Sequence, residues 1–349
     1  MDINKDIGHQ ETESVLTELE KRISAEYAQA EKEITEKLNE YLEKFEEKDA
    51  LKLQALADGK ITQAEYDAWR VGQIATGEKW EAMRDSIAAD LANTSEIAKS
   101  ISTGYMPEVY AINFNYGTFQ VESLSKVDTG FTLYNRQAVE SLFDDNKTLY
   151  HAAGKKTQAA INMGKQIAWD KKQVQSVMTQ SLLQGESIGK IATRLSKAVG
   201  DSDRKAAIRN ARTMTTGVEN SARVDSYKRA ENMGIEMEQE WVAALDDRTR
   251  HEHRILNGQR VKVGESFEVE GYRIRYPADP LAEDFLVYNC RCALIAAMKG
   301  HEVKTNDWSE EKYNEWKEGK STSDSITKQD EIEKKMKAAY SAEYRSYKR

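Results

Sequence analysis

Between residues 16 and 45 an apolar side chain returns every third or fourth position: Leu16, Leu19, Ile23, Tyr27, Ala30, Ile34, Leu38, Tyr41 and Phe45. Those steps trace one face of an α-helix. Leu16, Tyr27 and Leu38 recur at a period of about 3.67, which suits a nearly straight helix or a slight right-handed coil. The spacing predicts a helix from about Thr12 to Ala57. A stripe of that length needs partner helices, from this chain or another subunit. Asp58-Gly59 ends it, and Thr62 with Glu65 three residues on forms a capping box that opens a second helix. Ala64, Ala68, Val71 and Ala75 make a narrow face there, beside Tyr66 and Trp69. Gly77 breaks the pattern, and a third helix is expected from about Glu78 to Ser100. Residues 1–103 therefore read as a helical hairpin or bundle.

The pattern then changes. Gly104 to Asp128 mixes aromatics, Asn and Gly, and reads as a connector with little regular structure. Phe131 to Phe143 reads as a strand-like entry followed by a short helix capped by Asn135. Helices are expected over Ile167–Thr179 and Glu186–Val199, separated by a turn at Gln184-Gly185. The second carries Ile188, Ile191, Ala192 and Leu195 on one face. A long central helix follows from Asp203 to Met233, with small residues among Ile208, Ala211, Met214, Thr215, Val218, Ala222 and Val224.

From Trp241 the rare residues concentrate. Asp246-Asp247 offers an N-cap for a helix through Arg248 to Leu256, and Asn257-Gly258 offers its stop. Val261, Val263, Phe267, Val269, Tyr272, Ile274 and Tyr276 mostly alternate, which is the strand period, with Gly264 and Gly271 as turns. Pro277 and Pro280 bracket a loop, and Val287 to Ile295 reads as a last strand containing both cysteines. In the tail, Asp307 and Ser309 cap a short helix with Trp308, Tyr313 and Trp316. Residues 318–328 read as flexible, and Glu331 to Tyr347 as a terminal helix pairing Tyr340 with Tyr344. The fold class expected is mainly α with a small α+β carboxy-terminal domain, its short antiparallel sheet lying near residues 240–297. The divisions expected are 1–103, 104–235, 236–298 and 299–349.

Composition adjusts this picture. The chain has 349 residues, a net charge of -8 and 32% charged residues, with a mean hydropathy of -0.74. Those values, and only three prolines, suit long exposed helices. Two cysteines argue against a secreted disulfide scaffold. The opening MDINKDIGHQETES has no apolar core and does not read as a signal peptide. No window approaches the run of about 18 apolar residues needed to cross a membrane. Charge is uneven: residues 1–50 hold seven basic and fifteen acidic residues, whereas 147–229 hold sixteen basic and six acidic. Either these are solvated faces that pack on each other, or the basic middle meets a polyanion such as double-stranded DNA. Lys171, Lys172, Arg204 and Lys205 are the candidate contacts. On the central helix Arg212 lies near Thr213, Thr216 and Asn220, a set that suits phosphate or an interior polar network anchoring the last domain.

The candidate chemistry sits in the carboxy-terminal stretch. On a strand, Cys290 and Cys292 would face one side, and a disulfide between them would be strained. With a histidine they could ligate a metal. His251 and His253 diverge by about 200° on a helix, so at most one fits, and His253 is the better placed. The plainer reading is two small buried thiols and two solvated histidines. Asp246, Asp247, His251 and His253 could also be assembled into a metal-dependent nuclease or a general acid/base pair. Asp capping and Arg pairing explain the same residues without catalysis. Asp247 is expected to hold Arg291 or Arg248.

DDRTR, His253, Asn257-Gly258, YPADP and VYNCRCAL resemble the carboxy-terminal signature of the phage head-morphogenesis family, the minor capsid proteins similar to protein F of phage Mu. RNARTMTTGVENSARVDSYKRAENMGI and LLQGESIGKIATRL resemble its central blocks. The likeness runs from about Gln166 to Leu294. Its family positions here are Arg212, Asp247, Arg248, Arg250, His253, Gly258, Asn289, Cys290, Arg291 and Cys292. The resemblance implies a structural protein inside the phage head and, during assembly, in the host cytoplasm. It would associate with the portal protein, other capsid components and double-stranded DNA, and act in head assembly, packaging or ejection. It implies no enzyme, no small-molecule substrate and no membrane. Some members suggest zinc through further Cys and His residues, whose places Arg250 and Val287 take here. A metal-dependent nuclease or processing enzyme is the alternative.

Overall fold

A computed structural model describes residues 2–75, 78–145, 169–177, 180, 188–301, 305–320 and 322–323. The long helices are α1 (Ile7–Ala57), α2 (Gln63–Ala75), α3 (Glu78–Ser125), α4 (Arg136–Asp145) and α5 (Ile188–Asn232). Residues 169–177 are also helical. The chain divides into two compact units, one of residues 1–20, 102–151 and 209–349, the other of 21–101 and 152–208. Among the described residues no helix is long and apolar enough to cross a membrane.

In the helical unit, residues 21–101 and 152–208, the stripe of α1 is buried as its period requires. Ile23 and Leu38 are 0% exposed and Ile34 3%. Met83, Ile87, Leu91 and Ala98 of α3 are buried in the same unit. Tyr27 meets Ser95 at 3.0 Å, and Lys37 reaches Asp90 at 2.5 Å, so the two helices lie side by side. The capping box forms: the Glu65 carboxylate accepts from the Thr62 amide at 2.8 Å, and the Thr62 hydroxyl from the Glu65 amide at 3.2 Å. On α2, Tyr66 is buried and Trp69 stacks on Phe45 at 5.8 Å, while Ala64 and Ala68 face solvent.

The connector expected at Gly104–Asp128 is instead the second half of α3. Its residues from Met106 to Val121 are almost all buried, so no polar face alternates with an apolar one and the helical period is invisible. Pro107 lies inside that helix, and its cost of about 3 kcal/mol is outweighed by the burial around it. The asparagines that suggested a loop are interior hydrogen-bonding residues. Asn115 exchanges bonds with the backbone of Tyr134 at 2.9 and 3.0 Å, and Asn113 donates to Thr12 at 2.7 Å. Asn135 caps α4 as expected, accepting from the Ala138 amide at 2.9 Å. The two helices expected over 186–199 and 203–233 are one, α5.

The other unit contains the small sheets. β1 (Leu133–Tyr134) pairs with β7 (Thr322–Ser323) in parallel. β2 (Glu238–Val242) runs antiparallel between β3 (Arg260–Lys262) and β6 (Ala293–Ala297), and β4 (Phe267–Val269) forms a hairpin with β5 (Tyr272–Ile274). α6 (His251–Leu256), α7 (Asp284–Val287) and α8 (Glu310–Glu318) complete it. β6 is buried along its whole length. Ile295 and Ala296 join a core with Phe119, Tyr227, Trp308 and Tyr313, whereas Leu294 joins one centred on Trp241, with Leu256, Phe267 and Leu286. Three local expectations change here. α6 starts at His251 rather than Arg248, because Asp246 closes a turn onto the Arg248 amide at 2.9 Å instead of capping. The apolar run at 284–287 is a helical turn, and the cysteines precede β6 rather than lying within it. Ser309 caps α8. The expected turn at Gln184-Gly185 and terminal helix at Glu331–Tyr347 lie outside the described residues, as does most of 318–328.

Candidate functional site: the Cys–His cluster and its polar clamp

Residues 289–294 cross α5 in an extended path, and the helix reads their backbone. Asn289, at φ 54, opens the path, and its amide donates to the Thr213 hydroxyl at 3.1 Å. The Thr216 hydroxyl donates to the Cys290 carbonyl at 2.9 Å. Asn220 donates to the Cys292 carbonyl at 3.2 Å and accepts from the Leu294 amide at 2.7 Å. Arg223 donates to the Leu294 carbonyl at 2.8 Å. Positions 213, 216, 220 and 223 follow the helical spacing of one face, so one stripe of α5 satisfies backbone groups of residues 289–292, which precede β6, and of Leu294 at its start. Of the two readings left open for Arg212, Thr213, Thr216 and Asn220, the interior network describes Thr216 and Asn220, while Thr213 bonds Asn289 at the exposed edge. Arg212 faces the other way, pairing with Glu20 at 2.5 Å and lying 4.0 Å from Glu13.

Arg223 anchors a buried charge cluster. Its guanidinium is 0% exposed and grips Asp6 with two bonds of 2.7 and 2.8 Å, reaching Glu219 at 3.2 Å and Asn113 at 3.0 Å. His9 bonds Glu219 at 2.9 Å. Burial alone pushes the His9 imidazole down, but attraction and hydrogen bonding from Glu219, with Asp6, carry it up to about 9. Gly8 is required here, since a Cβ would lie 2.6 Å from Tyr116 and 2.9 Å from Arg223. None of these partners was legible as a site, because Asp6 and Arg223 are separated by 217 positions.

The cysteines face the α6 histidine. His253 Nδ1 lies 3.6 Å from Cys290 Sγ and 3.3 Å from Cys292 Sγ, and all three residues are 2% exposed. His253 Nε2 is held by the Leu286 carbonyl at 3.0 Å, and Trp241 meets the imidazole edge-on at 5.5 Å. Burial and the hydrogen bond with Cys292 push the Cys290 thiol up. The hydrogen bond from Cys290, helped by His253, holds the Cys292 thiol well below its usual range despite burial. The three donor atoms lie within 4.8 Å of one another. A tetrahedral zinc with ordinary Zn–S and Zn–N bonds would set sulfur and nitrogen about 3.6 Å apart, so the spacing fits three ligands, with Nε2 oriented as a ligating histidine's outer nitrogen usually is. No fourth His, Cys, Asp or Glu joins the group among the described residues. His251 points elsewhere, exposed and 3.5 Å from Glu270.

The carboxylate that holds Arg291 is Asp246, at 2.6 and 2.7 Å, and not Asp247, which is exposed. The Arg291 hydrogen bonds hold the Asp246 carboxyl well below the usual range. The same carboxylate lies 3.6 Å from Arg248. Gly258, at φ 80, donates to the Trp241 carbonyl at 2.7 Å and so ties the end of α6 to β2. Of the basic candidates in the helical unit, Lys171 is paired with Asp85 at 2.8 Å, Lys172 and Lys205 are exposed or nearly so, and Arg204 is half-buried.

Residues 172–295, which contain both the clamp and the cluster, match the family described as Phage Mu protein F like protein. This segment is Mu F-like. Among curated proteins, the chain is 30% identical over 144 residues to the NAD(+)--arginine ADP-ribosyltransferase EFV of Enterococcus faecalis. That match covers 39% of this chain but 29% of the other, so the chain spans under a third of that relative. It is 24% identical over 290 residues to Minor head protein GP7 of Bacillus phage SPP1, covering 82% of this chain and 85% of that one. No solved structure matches the chain. The Mu F-like segment thus begins within the helical 169–177 stretch and ends in β6, and α5 is its longest element.

Proposed function

We propose that this protein is a minor head protein of a tailed phage or prophage, resident inside the head beside the portal and in contact with the packaged DNA, acting in head assembly and in packaging or ejection. The observation that carries the reading is the similarity to Minor head protein GP7 along most of both chains. The interior chemistry agrees with a structural role. His253, Cys290 and Cys292 are buried, and Asp246 is committed to Arg291. That arrangement braces α6 against residues 289–294 and takes Asp246 and His253, two of the four residues the nuclease alternative would use, into structural contacts. If zinc is held, His253 Nδ1 and the two thiolates would be its ligands. It would then cross-link α6 to the cysteine segment and release protons on binding.

The basic stretch of 147–229 gives the DNA half of the proposal its charge. Two measurements on the full chain test the reading. Pull-down against the portal of the same phage should retain the protein. Binding to short duplex DNA should be independent of sequence and weaken steeply with salt. Reversing Lys171, Lys172, Arg204 and Lys205 to Glu should weaken it further. Absence of portal retention, with DNA affinity unchanged from low to moderate salt, would remove the proposal.

A further inference from the structure

The Mu F-like segment presents arginines that are held in place without being neutralised. Arg250 Nη2 donates to the Tyr288 carbonyl. Arg254 donates to the Thr249 carbonyl at 3.2 Å and to the Asp246 carbonyl. Arg209 lies over the ring of Tyr288, 5.5 Å from its centroid, and that residue is 41% exposed. Among the described residues none of these three guanidiniums has a carboxylate within ion-pair distance. Arg248 is 78% exposed along its side chain and must share Asp246 with Arg291, which holds that carboxylate much more closely. The five cations are linked through two residues, Tyr288 and Asp246. The exposed acid nearest in sequence is Asp247.

This pattern differs from a structural ion-pair network. A guanidinium bonded to a backbone carbonyl keeps its whole positive charge and still has N–H donors to spare. Its position is fixed before any ligand arrives, so less freedom is lost on binding. Planar arginine donors suit phosphate oxygens, which accept two parallel bonds. An exposed tyrosine between two of them gives an apolar floor for a sugar–phosphate edge.

We propose that Arg209, Arg250 and Arg254, with Arg248 at the margin and Tyr288 between, form a docking surface for the phosphate backbone of double-stranded DNA. The inference rests on the DNA-contacting function proposed above and adds contact residues beyond Lys171, Lys172, Arg204 and Lys205. Recognition would be of backbone charge, not of base sequence.

The test is fluorescence anisotropy of the full chain with a short labelled duplex over a series of salt concentrations. The triple variant Arg209→Gln, Arg250→Gln, Arg254→Gln should bind about tenfold or more weakly. Its log–log salt slope should fall by about 0.9 for each phosphate that is no longer neutralised. The triple variant to Lys should keep most of the affinity, which separates charge from folding. Arg209→Gln alone, a change at a guanidinium that stacks on an exposed ring, should weaken binding with thermal unfolding unchanged. Wild-type affinity and slope in the triple Gln variant would overturn the inference. So would equal displacement by polyglutamate of matched charge, which would assign the surface to an acidic protein segment instead. Loss in the Lys171, Lys172, Arg204, Lys205 charge reversal with none in the arginine triple would overturn this surface and leave the proposed function standing. No binding of wild type to any duplex would sink both.

Discussion

The two units of this chain are held together by different kinds of interaction. In the helical unit, the interior side of α1 is an apolar stripe in which Ile23, Ile34 and Leu38 are buried to within a few per cent, and its ion pairs, such as Lys37 with Asp90, lie at the edge. In the unit containing most of the Mu F-like segment, the interior holds Asp6, His9, Glu219 and Arg223 as well as Asn113 and Asn220, all buried. Burying an apolar stripe rewards any partner of about the right shape. Burying four charges rewards only one arrangement, since a missing partner leaves a charge uncompensated. The first kind of interior fixes that helices pack. The second fixes which segment packs, here residues 3–12 against α5 and the strand that follows the cysteines.

The largest effect should therefore come from a charge removed, not a methyl group lost. Arg223→Met deletes the guanidinium that compensates Asp6 and should destabilise its unit by about 3–5 kcal/mol. Ile34→Asp places an unpaired carboxylate in the stripe and should cost about 3–4 kcal/mol, with loss of helicity confined to the helical unit. Amide hydrogen exchange separates the two. If Arg223→Met protects residues 209–232 as wild type does, the clamp does not hold this unit. If Ile34→Asp leaves α1 protected, the stripe is not what holds the other.

How much of this could be read beforehand follows from the same contrast. The α1 stripe declares itself because one face is wet and one dry, so the period survives in the sequence. The Thr62–Glu65 box and the Asn135 cap are local patterns and were legible too. The second half of α3 has no wet face, and its Gly117 reflects close packing, since a Cβ there would lie 2.1 Å from the Ser226 hydroxyl. His253 was preferred to His251 on the expectation of a helix from Arg248 and a strand at the cysteines; α6 starts at His251 and the cysteines precede β6, yet the structure brings those three residues together. Which of two adjacent aspartates holds Arg291 did not follow, because Asp246 and Asp247 differ only in the turn they occupy. Asp6, His9 and Glu219 carried no signal, for the cluster they form joins residues far apart in the chain.

A smaller effect should appear with pH. His9 is carried up to about 9 from an ordinary 6.5. A raised value means the proton stabilises the fold: the contribution is complete below about 6.5 and is lost as pH rises through 9. Between those values the wild type should lose at most about 3 kcal/mol, an upper bound for a buried and strongly interacting group. His9→Gln should be less stable at pH 7 and should lack this alkaline slope, as measured by urea unfolding at a series of pH values from neutral to alkaline. The helical unit has no histidine facing its stripe among the described residues, so its protection should not change over that range. Parallel pH slopes in wild type and His9→Gln would detach the histidine from the cluster.

The smallest change asks whether the clamp acts through its individual hydrogen bonds. Asn220 uses both ends of its amide on residues 292–294, donating to one carbonyl and accepting from one amide. Asn220→Leu keeps the volume but removes both bonds and leaves the Leu294 amide and the Cys292 carbonyl without that partner. A buried group left unpaired costs about 1–3 kcal/mol, and the Leu side chain regains a share of that through apolar packing, so a net loss of about 1–2 kcal/mol is expected. Asn220→Asp keeps the acceptor for Leu294 and loses the donor, while adding a buried negative charge within reach of the clamp, and should cost more. The order Asn, Leu, Asp in stability is the signature of a hydrogen-bonding role. A merely space-filling role would rank Leu at or above Asn, and the exchange rate of the Leu294 amide would then be the same in both.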